Sequence, residues 1–136
     1  MKPVRKFRME KLVRDKMAEK FQKRGGRLKL RTLTPQDFQI QLLEKLKEEV
    51  AEVIHSVTQE ELCEEMADLL EVMRALANMK QIPWRDIELM RLEKKKTKGG
   101  FEKAIFAEFV ELDSKDHPGI DYCLKHPQKY PEVFDF

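Results

Sequence analysis

Two helix-start signals, Thr34-Pro35-Gln36-Asp37 and Thr58-Gln59-Glu60-Glu61, constrain this chain more than anything else in it. In each, a threonine suited to an N-cap is followed three residues later by an acid, the capping-box pattern, and Pro35 is the residue favoured at a first helical position. Between them Phe38, Leu42, Leu46, Val50, Val53 and Val57 recur at intervals of four, four, four, three and four residues, the period of an amphipathic helix. After the second signal Leu62, Met66, Leu69, Met73 and Leu76 form a second stripe. Two long helices joined by so short a connection must run antiparallel, so the spacing predicts a helical hairpin and an all-α fold of the four-helix-bundle type.

The flanking segments read as lesser elements. Met9 to Arg24 carries Leu12, Val13, Met17 and Phe21 at near-helical spacing and stops at Gly25-Gly26, which predicts a first helix. Pro83 opens a fourth, running through Ile87, Met90 and Leu92 to Gly99-Gly100. FEKAIFAEFVEL mixes alternating and helical spacing and is read as a short extended arm. The tail from Asp113, with Pro118, Gly119, Pro127 and Pro131, reads as irregular, and Tyr122, Tyr130, Phe134 and Phe136 suggest that it docks on something. A chain of 136 residues suits one domain, with a core over about 9–110 and a tail over 111–136.

No run of eighteen apolar residues occurs, and MKPVRKFRMEK lacks the apolar segment of a secretory signal. The expectation is a soluble, cytoplasmic protein with no membrane partner. Cys63 and Cys123 stand far apart with neither CxxC nor zinc spacing, as ordinary reduced thiols would. Charged residues make up 38% of the chain, yet the formal net charge is only +2, which fits a well-solvated helical protein better than a nucleic-acid binder.

Charge is unevenly placed. From Glu48 to Glu71 there are nine acidic side chains and no lysine or arginine, whereas Arg91, Lys94, Lys95, Lys96, Lys98 and Lys103 outnumber Glu93 and Glu102 in the later block. Glu49 and Glu52 each precede a stripe residue of one long helix, and Glu65 and Asp68 each precede one of the next. Residues three apart on a helix differ by about 60° around its axis, so each pair points one way. Four carboxylates therefore converge at the edge of the hairpin seam. Two carboxylates about 5 Å apart repel by roughly 3 kcal/mol at an effective dielectric near 20, a cost that a divalent cation removes. Oxygen-only ligands select magnesium first, then manganese or calcium, and magnesium points in turn to phosphates. The competing reading of each acidic run is a solvated helix face, which suits Glu60, Glu61 and Glu64.

EEVAE (Glu48 to Glu52) followed after twelve residues by EMAD (Glu65 to Asp68) resembles the EExxE…ExxD signature of the all-α nucleotide pyrophosphatases, the MazG-like superfamily. KLVRDK (Lys11 to Lys16), LLEVMRAL (Leu69 to Leu76) and RLEKKKTKGGF (Arg91 to Phe101) resemble its phosphoribosyl-ATP pyrophosphohydrolase-like branch, the likeness running from about 9 to 110. The resemblance implies hydrolysis of a nucleoside triphosphate between the α and β phosphates, with Glu49, Glu52, Glu65 and Asp68 holding magnesium. It implies that Glu48 is a second-metal ligand or the base for the attacking water, and that the chain pairs with copies of itself. Arg14, Arg91, Lys94 and Lys98 are then the candidates for phosphate contact, Arg14 having the alternative of a structural ion pair with neighbours of Asp15 or with an interhelix carboxylate. Lys95 and Lys96 read as solvated, and Gly99-Gly100 as a helix stop or as room for backbone amides beside phosphate.

The histidines lack ligand spacing: His55 reads as partly buried filler, and His117 and His126 as turn residues before prolines. Trp84 and the tail aromatics suit packing better than base stacking. Two other classes compete with the enzyme. One is a non-catalytic helical module binding nucleotide or protein. The other is a nucleic-acid binder using the Arg91 to Lys103 block, disfavoured by the acids beside it.

Overall fold

The computed structural model of the protein describes residues 3–112 and 117–134. They contain five helices and no strand: α1 Met17–Lys23, α2 Pro35–His55, α3 Gln59–Met79, α4 Trp84–Lys98 and α5 Pro118–Lys125. The chain divides into two compact units, Met1–Thr97 and Lys98–Phe136. No described helix is long and apolar enough to cross a membrane.

The first unit is built on α2 and α3, and both helix-start signals do what their spacing predicts. The Thr34 hydroxyl accepts from the Asp37 amide, and that of Thr58 from the Glu61 amide at 3.1 Å. The Glu61 carboxylate in turn accepts from the Val57 amide at 2.9 Å, which closes the turn between the helices. Among the described residues α2 and α3 are the one pair of helices whose backbones pack together. At the far end of the hairpin Lys80 Nζ donates to Gln39 Oε1 at 2.7 Å, tying the end of α3 to the start of α2 as an antiparallel pairing requires.

The seam keeps part of the expected stripe, with Phe38, Leu42, Leu46, Val53, Leu69 and Leu76 buried or half-buried, and departs from the rest. Its buried residues are Leu42 and Glu49 on α2 and Val72 and Ala77 on α3, while Val50, Leu62, Met66 and Met73 are exposed. Steps of four advance 400° around a helix, so a run of them drifts about 40° per step off any fixed face; a step of seven returns to within about 20°. Leu42 to Glu49 and Glu65 to Val72 are such steps. Val57 lies beyond the end of α2 and is exposed.

Helix α1 starts at Met17 rather than Met9, and residues 9–13 have no regular structure. Lys16 at its N-cap offers no side-chain bond to the orphan amides, which is consistent with the late and short start. The stop is as predicted: Gly25 adopts φ 82°, and the Gly26 amide bonds back to the Phe21 carbonyl at 2.8 Å, a Schellman closure. The same closure ends α3 without a glycine. There the Ile82 amide reaches the Ala77 carbonyl at 2.9 Å and Gln81 takes the left-handed position, φ 58°. Arg74 lies over the Trp84 ring, 5.0 Å from its centroid, at the entry to α4.

In the second unit the segment FEKAIFAEFVEL has no regular structure beyond a turn at its start, and the tail, expected to be irregular, contains α5. His117 caps α5, its Nδ1 accepting from the Gly119 amide at 3.0 Å, and Pro118 takes the first helical position. Tyr122 stacks on His126 and meets Tyr130, so these aromatics pack on one another. Asp113, where the tail was expected to begin, and Phe136 lie outside the described residues. His55, read as partly buried, is exposed, with Nδ1 donating to the Ala51 carbonyl at 2.7 Å.

Candidate metal centre

Antiparallel pairing about the Ser56–Thr58 turn sets Glu49 level with the stretch of α3 that carries Glu65 and Asp68. One carboxylate oxygen from each of the three lies within 4.8 Å of the others. Glu49 is only 7% exposed, on the seam itself rather than at its edge, while Glu65 and Asp68 are half-buried. Glu52 falls outside this close group but near enough to Glu65 to act on it electrostatically. Three of the four predicted ligands are thus gathered and the fourth adjoins them.

The environment disfavours negative charge. Burial pushes the Glu49 carboxyl above the usual range, partly opposed by Lys45, with Asp68 and Glu48 adding to the rise. Glu65 is raised as well, by desolvation first and then by Glu52, Asp68 and Glu49. Both shifts have the sign of desolvated carboxylates, to which crowding by their own kind adds. A hard divalent ion with oxygen ligands suits such a donor set.

Cations of the chain now meet these acids. Arg14 Nη2 donates to Asp68 Oδ1 at 2.6 Å, the ion-pair alternative to a phosphate contact. Lys11 Nζ donates to Glu48 Oε1 at 3.3 Å, and Lys45 Nζ lies 3.5 Å from Glu48 Oε2 and 3.6 Å from Glu49 Oε1. The segment before α1 is thereby laid against the hairpin. An open groove of about 570 Å³ runs between them, lined by Lys11, Leu12, Gln41, Lys45 and Glu48 among others. Lys11 and Lys45 were not among the predicted site residues. For Lys45 the signal was present, since it stands three and four residues before Glu48 and Glu49 on one helix, the spacing of a facing pair.

The other predicted cations are not gathered here. Arg91 is engaged on its own helix, Nη2 donating to Glu88 Oε1 at 2.5 Å, which lowers the Glu88 carboxyl and raises Arg91. Lys94 and Lys98 are exposed on α4 without an ion-pair partner among the described residues.

A family model described as phosphoribosyl-ATP pyrophosphohydrolase matches residues 8–95. It takes in the N-terminal segment, the whole hairpin and most of α4, and ends before Lys98 and the Gly99-Gly100 stop. No curated protein and no solved structure matches the chain. Since the match covers well over half of the sequence and every carboxylate brought together on the hairpin, the chain belongs to the phosphoribosyl-ATP pyrophosphohydrolase family.

Proposed function

We propose that the protein is a nucleotide pyrophosphohydrolase that uses magnesium, or manganese in its place, to cleave the α–β phosphate linkage of a nucleoside triphosphate, releasing the monophosphate and pyrophosphate. The observation that carries this reading is the meeting of Glu49, Glu65 and Asp68 within 4.8 Å on the seam of the hairpin. Like charges so placed cost free energy unless a cation joins them. Glu49, Glu65 and Asp68 hold the ion, with Glu52 beside Glu65 as the fourth ligand. When bound, the ion supplies an acidified water and neutralises charge on the departing pyrophosphate.

The chain's other residues have roles on the same substrate. Glu48, held between Lys11 and Lys45, is a ligand of a second metal ion or takes the proton of the attacking water. Arg14 is free to meet a phosphate oxygen once Asp68 turns to the metal. Lys94, Lys98 and Arg91, which α4 does not bring to the carboxylates, stand as further candidates for phosphate contact, Arg91 after parting from Glu88. The substrate is a soluble nucleotide of the cytoplasm, phosphoribosyl-ATP or another triphosphate.

A second copy of the chain belongs to this reading. Ile40, Leu43, Val50 and Ile54 of α2 and Leu62, Met66, Leu70 and Met73 of α3 are exposed at helical spacing, a second apolar face beside the seam. Two such hairpins packed together make a four-helix bundle and bury that face. Sedimentation at micromolar concentration checks the assembly, and a monomer there refutes it. The activity is tested by incubating a panel of nucleoside triphosphates with magnesium and separating the products. Monophosphate and pyrophosphate are expected; orthophosphate as the first product overturns the proposal.

A further inference from the structure

The first 31 residues contain thirteen lysines and arginines against three acids, Glu10, Asp15 and Glu19, whereas the remaining 105 carry fourteen against 22. The modest net charge of the whole chain hides a segment of net charge +10. Every described cation of this segment is exposed. Three are spent on carboxylates: Arg8 on Glu10, Lys11 on Glu48 and Arg14 on Asp68. The other nine, Arg5, Lys6, Lys16, Lys20, Lys23, Arg24, Arg27, Lys29 and Arg31, have no acidic partner among the described residues. Neutralising the acidic hairpin thus occupies two of the twelve described cations, and nine of the others face solvent without an acidic partner.

So dense an unpaired charge repels itself, and the ligand that relieves it is a polyanion long enough to meet many cations at once. Two features separate the candidates. Exposed aromatics stand among the cations: Phe7, 76% exposed, lies under the Arg5 guanidinium at 5.4 Å, and Phe21 of α1 is 38% exposed. The backbone here is almost wholly irregular, α1 having seven residues, so no helix is available to fill a duplex groove or to lie in a membrane interface. Cations that track a backbone, interleaved with aromatic faces on which bases stack, are the means by which single strands are held. In Arg27-Leu28-Lys29-Leu30-Arg31 the charges also alternate with apolar residues, Leu28 being half-buried while its charged neighbours are exposed.

We infer that residues 3–31 form a binding surface for single-stranded nucleic acid, with the unpaired lysines and arginines on its phosphates and Phe7 and Phe21 on its bases. The inference does not rest on the pyrophosphohydrolase reading. The Arg91 to Lys103 block is not part of the surface.

The test is fluorescence anisotropy on the full chain with labelled 20-nucleotide oligouridine and oligothymidine, between 50 and 200 mM potassium chloride. Comparison of the two strands separates RNA from DNA as the source of the same chemistry. Binding is expected to weaken steeply with salt, and the triple variant Arg27→Gln, Lys29→Gln, Arg31→Gln should lower the slope of log K against log salt by about 2, since each phosphate contact on a single strand contributes about 0.7. Phe7→Ala should weaken binding about tenfold without changing the slope. The substituted side chains are exposed and outside the helices, and circular dichroism verifies that each variant keeps its helices. No binding at 50 mM salt, an unchanged slope in the triple variant, inorganic polyphosphate bound as tightly as either strand, or capture by phosphatidylglycerol vesicles in place of the oligonucleotides would each overturn the inference.

Discussion

Replacing Glu49 by glutamine should stabilise the metal-free protein and remove most of its stabilisation by metal, two effects of opposite sign from one side chain. Glu49 is 7% exposed, with a carboxylate oxygen within 4.8 Å of one from Asp68. At an effective dielectric near 20, that pair alone repels by about 3 kcal/mol before solvent screening at the half-exposed Asp68. Lys45, 3.6 Å away, supplies an attraction of similar size. Attraction to Lys45 and repulsion from Asp68 and Glu48 oppose one another, and the leading cause of the raised Glu49 carboxyl is the cost of holding a charge out of water. Glutamine keeps the shape and sheds the charge, and Lys45 retains Glu48 at 3.5 Å. A gain of about 1 kcal/mol is expected in EDTA, seen as a Tm higher by roughly 4 °C for a chain of this size.

Manganese or magnesium reverses the order. At a hundred times Kd, a ligand that binds only the native state adds about 2.7 kcal/mol. Wild type should gain that increment and the variant, short of a carboxylate, should lose most of it. Differential scanning fluorimetry with EDTA and with a manganese series reads both halves. A variant less stable than wild type in EDTA would refute the charge argument, and an undiminished metal response would remove Glu49 from the site.

Raised folded-state carboxyls at Glu49 and Glu65 mean stability that is present below their ordinary value of 4.5 and lost as pH rises through the folded values. The metal-free Tm should therefore rise on mild acidification from neutral pH, an increment that Glu49→Gln reduces. Glu88, lowered by Arg91, opposes it, its contribution being lost as pH falls through the folded value. Arg14→Ala should raise manganese affinity by up to about fivefold in titration calorimetry, because an exposed ion pair worth up to about 1 kcal/mol no longer competes for Asp68. An unchanged affinity would mean that arginine and metal use different oxygens. Gln81→Gly should raise the Tm, by about 0.5 to 1 kcal/mol in stability, by relieving the left-handed backbone at the end of α3. A lower Tm would show that the glutamine side chain matters more than its φ.

Why the hairpin was legible and parts of its surroundings were not follows from where each instruction resides. Thr34, Pro35, Thr58 and Glu61 act within four residues of themselves, so the starts of α2 and α3 could be read locally. The start of α1 depends on amides that no local side chain caps, and apolar spacing alone overran it by eight residues. The end of α3 at Gln81 carries no glycine to announce it. The carboxylates were found because helical periodicity is a property of the string, but their depth was not, because depth depends on which of several near-equivalent faces meets the other helix. Spacings of four drift and spacings of seven hold, and the structure follows the sevens: Leu42 with Glu49, Glu65 with Val72. That choice places acids where a hairpin meant only for stability would place leucines. A seam with Glu49 at one level and Leu42 one heptad away gives up apolar burial at the first for a cluster that repels itself, and the arm's Arg14 and Lys11 relieve that repulsion only in part. The cost is rational if a bound ion returns it. On the proposed function, the hairpin then has its least favourable level in the metal-free state and a firm one when loaded, with the binding free energy of the ion serving as folding free energy at the residues proposed to hold it.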